Sequence, residues 1–193
     1  MALTKGVGFV NVRAFVTERH GTPAWRQLLE ALDPGDRELW VGLVPVGWYD
    51  LGAYARLIRA LDRLYGSADL GLVRDLGRFE AERDLTTIQR FFLKLVRPSM
   101  AIEQTGKYWS RFHDSGRWEM ERRGDREVRG VLTGWGVVDE ALCIELVSYL
   151  ARTLELVGGK DVRMDHPRCR VKGADACEFR LFWRLEKDGP GEG

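Results

Sequence analysis

The stretch Ala141–Trp183, ALCIELVSYLARTLELVGGKDVRMDHPRCRVKGADACEFRLFW, changes its period halfway along. Its first part repeats apolar residues at Cys143, Leu146, Val147, Leu150, Leu154 and Val157, which is one face of a helix. Asp139 stands where an N-cap is needed and Gly158-Gly159 where the helix should stop. Two strands are then predicted near 161–169 and 175–184, joined by the turn-forming run VKGADA. A long helix that feeds a hairpin places Cys143 on its inward face, towards a pair of strands that carry Cys169 and Cys177.

The same pattern extends upstream. RWEMERRGDREVRGVLTGW alternates bulky and charged residues on either side of Gly124-Asp125, the signature of an antiparallel hairpin. Before residue 116 the period is helical. GTPAWRQLLEALDPGD begins at a capping Thr22 with Pro23 in the first turn and ends at Pro34-Gly35. DLGAYARLIRALDRLYG carries a stripe of Leu51, Tyr54, Leu57, Ile58, Leu61 and Leu64 before Gly66. ADLGLVRDLGRFEAERDL and TTIQRFFLKLV continue the pattern, and Pro98 interrupts it before MAIEQTGKYWSRFHDSG. The order helices, hairpin, long helix, hairpin predicts an α+β fold with a helical layer packed on a small antiparallel β-sheet. One domain is expected over residues 1–185, a helical half at 1–115 and a sheet-bearing half at 116–185, with a disordered tail at 186–193.

Composition narrows the function. Thirty Lys and Arg face 29 Asp and Glu, so the basic footprint of a nucleic-acid binder is missing. No run of apolar residues is long enough to span a membrane, and the N-terminus has no secretory h-region, so a cytoplasmic protein is expected. Three cysteines in such a compartment point to metal binding, chemistry or burial rather than to disulfides. The apolar opening Val7, Phe9, Val10, Val12, Phe15 and Val16 has no partner strand beside it in sequence, and a homodimer that buries it is expected.

A final hairpin turning about Gly173 would set Cys169 and Cys177 opposite one another, with Cβ atoms ~5 Å apart. Cys143 can add a third sulfur from the helix, and His166 or Asp165 a fourth ligand. Such a set suits a closed tetrahedral zinc site. In a regular strand Asp165, not His166, shares the face of Cys169, but Pro167 breaks the strand and lets either turn inward. Cysteines facing a helix also pack as ordinary core, so the spacing alone leaves both readings open.

The segment from Trp109 to Trp183 resembles the 4-vinyl reductase domain: a hairpin, a helix with an inward cysteine, then C...G...C.F across the last hairpin. In the phenol-sensing activators with that domain, three cysteines and a carboxylate hold a structural zinc. The resemblance puts this motif on Cys143, His166, Cys169 and Cys177, with histidine at the carboxylate position. It also implies a superfamily shared with haem-containing nitric-oxide sensors and with subunits of the TRAPP vesicle-tethering transport particle. ERHGTPAWRQLL and GLVPVGWYDLGAY further resemble an uncharacterised bacterial family with this ending.

Haem is disfavoured at this level. YWSRFH resembles the Y-x-S-x-R propionate-binding signature of the nitric-oxide sensors at Tyr108 and Ser110, but Phe112 stands at the arginine position and Arg111 is out of register. An axial ligand would have to be His20, His113 or His166, none on a strong apolar helical stripe. The usual catalytic motifs are missing, so no enzyme is expected. Aromatic residues cluster at the join of the halves: Phe91, Phe92, Tyr108, Trp109, Phe112, Trp118 and Trp135. Helices over a sheet form apolar cavities there, and Trp109, Phe112, His113 and Trp118 are the candidates to line one. The expected function is a non-catalytic sensory domain with structural zinc, binding a small apolar or aromatic molecule and passing its signal to another protein. The alternative is an adaptor or scaffold of the transport-particle type. A cavity of ~300 Å³ or more would favour the first.

Overall fold

The computed structural model describes residues 1–85 and 106–185. Strand β1 (Leu3–Lys5) leads directly into helix α1 (Gly6–Glu30). The apolar opening is therefore helical. Phe9, Val12 and Val16, together with Phe15, recur at helical spacing, and all four are buried against the chain's own helices. The reason for expecting a homodimer is thereby removed, because this segment already has its partner. Gly21, at φ 84°, kinks α1 just before Thr22-Pro23, so a new helical run does begin at the expected place but continues the first.

Short helix α2 (Pro34–Glu38) and strand β2 (Trp48–Asp50) follow, and β2 pairs antiparallel with β1. Helix α3 (Leu51–Tyr65) starts at Asp50, whose carboxylate accepts hydrogen bonds from the backbone N–H groups of Gly52 and Ala53. Its Leu51, Leu57, Ile58 and Leu61 are fully buried, each contributing roughly 1.5–3 kcal/mol. Helix α4 (Gly71–Asp84) is anchored through Asp62, which accepts from the N–H groups of Leu70 and Leu72. Residues 106–112 are helical again. The expected helical stretch TTIQRFFLKLV, with Phe91 and Phe92, lies outside the described residues.

The second half is a four-stranded antiparallel sheet and one long helix: β3 (Arg117–Arg122), β4 (Glu127–Thr133), α5 (Glu140–Leu156), β5 (Lys160–Arg168) and β6 (Ala176–Arg184), in sheet order β3-β4-β6-β5. The fold class is α+β, as expected. Asp139 caps α5 by accepting from Ala141 N–H, and Arg59 of α3 holds that carboxylate with both oxygens at 2.8–2.9 Å. Helix α5 lies against α4 closely enough that a Cβ on Gly77 would collide with the Glu145 carbonyl oxygen. Outside this contact, Arg78 pairs with Glu155, and Arg152 with Glu82 and Glu155. Among the described residues no helix is long and apolar enough to cross a membrane.

Candidate functional site

Two sites form around α5. The first gathers the cysteines. Cys177, on the inward face of β6, pairs in register with Leu132 of β4, not with Cys169. Cys169 lies beyond the end of β5, where a 3-10 turn (Arg170–Lys172) and Gly173 at φ 85° close the connection. The expected cross-strand pair of cysteines is corrected accordingly: the turn, rather than the ladder, carries Cys169 inward. Its Sγ stands 3.9 Å from that of Cys143, as does the Sγ of Cys177.

The fourth member is His166. The β5–β6 register shifts between Asp165 and Arg168, across Pro167, so His166 and Cys169 both reach the same side although their parity differs. Asp165 pairs in register with Arg180, is exposed and does not join the cluster. The four ligand atoms of Cys143, His166, Cys169 and Cys177 lie within 4.8 Å of one another. The His166 ring stacks on Phe179 at 4.3 Å, and its Nε2 is buried without a hydrogen-bond partner.

The thiols are free and too far apart for disulfides. Hydrogen bonds from the Cys143 thiol and the Arg170 N–H outweigh burial and draw the Cys177 pKa down to about 4. Cys143 is pushed up, by that same hydrogen bond to Cys177 and by burial. Two sulfurs bound at ~2.3 Å to one tetrahedral ion would stand about 3.8 Å apart, close to the spacing seen. The set therefore suits a thiophilic ion with no open coordination position.

The second site is a cavity of about 800 Å³ beside α5, bounded by α1, α3, α4 and residues 108–118. Trp109, Phe112, His113 and Trp118 all line it. Trp109 stacks on His113 at 4.2 Å and meets Trp135 edge-on at 5.4 Å, while its Nε1 donates to the Ser115 carbonyl. Burial pushes the His113 pKa down to about 4, so the ring is neutral, and its Nδ1 has no partner. Phe112 is 46% exposed at the rim, next to Tyr108 with the Arg111 guanidinium over its ring.

The far end of the cavity is acidic, which sequence reasoning missed. Tyr54 donates to Glu145 at 2.6 Å and lies 3.1 Å from Glu80, while Asp84 accepts from Asn11. A signal existed: Glu80 continues the apolar stripe Val73-Leu76 of α4, and Glu145 lies between Leu142 and Tyr149 on one face of α5. Charged residues on an inward stripe rarely occur without a role.

No family model and no curated protein matches the chain. Solved structures do. An H-NOX protein from S. oneidensis in the Fe(II)NO ligation state superposes with a TM-score of 0.72 at 16% identity, covering 93% of this chain and 99% of that one. The Fe(II) unliganded H-NOX protein from K. algicida gives 0.64 at 12%, over 94% and 97%. The H-NOX from Shewanella woodyi in the Fe(II)CO ligation state gives 0.65 at 14%, over 97% and 98%. The fold is that of an H-NOX domain.

This corrects two expectations. The chain's structural neighbours are H-NOX domains rather than 4-vinyl reductase or TRAPP-type domains. The expectation of structural zinc with haem disfavoured is overturned too, because the H-NOX structures that share this fold were solved in Fe(II)NO and Fe(II)CO ligation states; zinc is suggested only by the Cys/His cluster. For haem, the cavity offers room and one neutral imidazole on its wall, His113. His20 stacks on Tyr65 at the surface, and His166 belongs to the cysteine cluster.

Proposed function

We propose that this chain is a non-catalytic sensory domain that binds a small molecule, apolar or aromatic over most of its surface, in the cavity beside α5. The cavity carries the reading: about 800 Å³, walled by Trp109, Trp118 and Trp135, and well above the ~300 Å³ that separates a ligand site from a filled core. The H-NOX fold supports it, since the neighbouring structures were solved with NO or CO on Fe(II). Ligand occupancy would act by changing how the chain meets a second protein.

Within this reading Cys143, His166, Cys169 and Cys177 hold one thiophilic ion, which ties α5 to the β5–β6 turn and does no chemistry itself. The orphaned Nε2 of His166 supports it.

The test is titration of the purified protein with haem and with small aromatic molecules, following tryptophan fluorescence and the Soret band. Saturable quenching by either supports the cavity as a ligand site. If nothing binds at millimolar concentration, the cavity is not one.

A further inference from the structure

The acidic end of the cavity brings three carboxyls, those of Glu80, Glu145 and Asp84, onto one stretch of lining. Tyr54 has one hydroxyl proton for the carboxyls of both Glu80 and Glu145, at 3.1 and 2.6 Å. Asp84 adds a third carboxyl, met by the Asn11 amide and the Tyr149 hydroxyl. Among the described residues, no lysine or arginine forms an ion pair with any of the three. The two cations on the cavity lining are held elsewhere: Lys5 donates to the Val46 carbonyl and lies over the Trp48 ring, and Arg111 covers Tyr108.

A second observation points to a ligand independently. Thr153 and Trp135 also line the cavity, are 6% and 5% exposed, and leave Oγ1 and Nε1 without a hydrogen-bond partner. Buried polar atoms are nearly always satisfied, by protein, water or ligand. Trp135 belongs to a wall of aromatic rings whose faces attract positive charge.

We infer that the cavity takes an organic cation, a protonated primary or secondary amine on an aromatic body, with its ammonium group among Glu80, Glu145 and Asp84. This deepens the proposed function and rests on the cavity being a ligand site. An ammonium group brings two or three donors to this group of carboxyl oxygens and a countercharge that no ion pair among the described residues supplies. Its apolar body lies against Trp109 and Trp118.

The experiment compares phenethylamine, phenethyl alcohol and hydrocinnamate, which share one ring and one chain length and differ in the charge of the end group, by calorimetry on the full chain, with haem titrated in parallel. The amine is expected to bind at least about tenfold more tightly than the alcohol and hydrocinnamate not to bind. Glu145→Gln should abolish the preference for the amine while leaving affinity for the alcohol. If the alcohol or hydrocinnamate binds as tightly as the amine, or haem binds and the amine does not, the cation inference is overturned while the ligand site stands. If none of the four binds, both fall. The wild-type series decides the matter even if Glu145→Gln fails to fold.

Discussion

The Sγ atoms of Cys143 and Cys177 stand 3.9 Å apart although 34 residues separate them along the chain. One sits in the first turn of α5 and the other on β6, and Cys169 reaches the same point from the intervening turn. Metal bound here would tie a helix to a hairpin and would bind only the assembled site, so its binding free energy adds to folding. Elemental analysis should find close to one thiophilic ion per chain. Cys169→Ala should abolish it and lower stability by on the order of 4 kcal/mol, the linkage expected at a free-ion concentration about a thousand times Kd. A variant that melts with the wild type would show the thiols to be core packing only.

Gly77 inverts the usual effect of a helical glycine. Alanine is favoured over glycine in a helix interior by about 1 kcal/mol, but here the added Cβ would press on the Glu145 carbonyl across the α4–α5 contact. Gly77→Ala should therefore destabilise by about 1–3 kcal/mol in urea denaturation. An unchanged or raised midpoint would mean the two helices separate at little cost.

Burial raises the pKa values of Glu80, Glu145 and Asp84, in the first case well above the ordinary carboxylate range, with the neighbouring carboxyls adding to the effect. Unfolded, they release their protons near pH 4. The folded state then binds more protons above that point, so their contribution falls as pH rises towards neutrality. His113 acts in the opposite sense between about pH 4 and 6.5, its pKa being lowered by burial, but it is common to wild type and variant. Stability of Glu80→Gln relative to wild type should hence increase from pH 5 to pH 8, measured by urea denaturation at each pH. A pH-independent difference would show that Glu80 titrates normally.

Trp109 touches His113, Trp118 and Trp135 and forms the wall of the cavity. Trp109→Leu should weaken binding of any cavity ligand by about tenfold or more, a typical cost for removing an aromatic anchor. The same variant should leave the metal content unchanged, since none of Cys143, His166, Cys169 and Cys177 lines the cavity. Loss of both would point to global unfolding, which circular dichroism would reveal.

Asp139 serves α5 as a cap and Arg59 as an ion-pair partner. Asp139→Ala should cost about 1–2 kcal/mol in thermal or chemical denaturation, and Asp139→Asn, which keeps the capping oxygen, less. Equal losses would assign the effect to Arg59 alone.

Hydropathy period and punctuation were enough for the elements of the second half. Asp139, Gly158-Gly159 and Gly124-Asp125 act within a few residues of their own position, and the physics that makes a cap or a turn is local. The same local reading misjudged Val7–Val16, because an apolar run is compatible with strand or helix until neighbours are known, and here α3 and α4 lie alongside to bury it. It also left His166 and Asp165 undecided, a choice made by the register shift at Pro167. The cysteines were legible as a group, since thiols are few and chemically distinct. The acidic end of the cavity was not, because Tyr54, Glu80 and Glu145 come from three helices up to 91 residues apart, and carboxylates are common on any surface. Only the packing of α3, α4 and α5 takes these carboxyls out of water and turns them towards one another, and it is that loss of solvent which makes them chemically special.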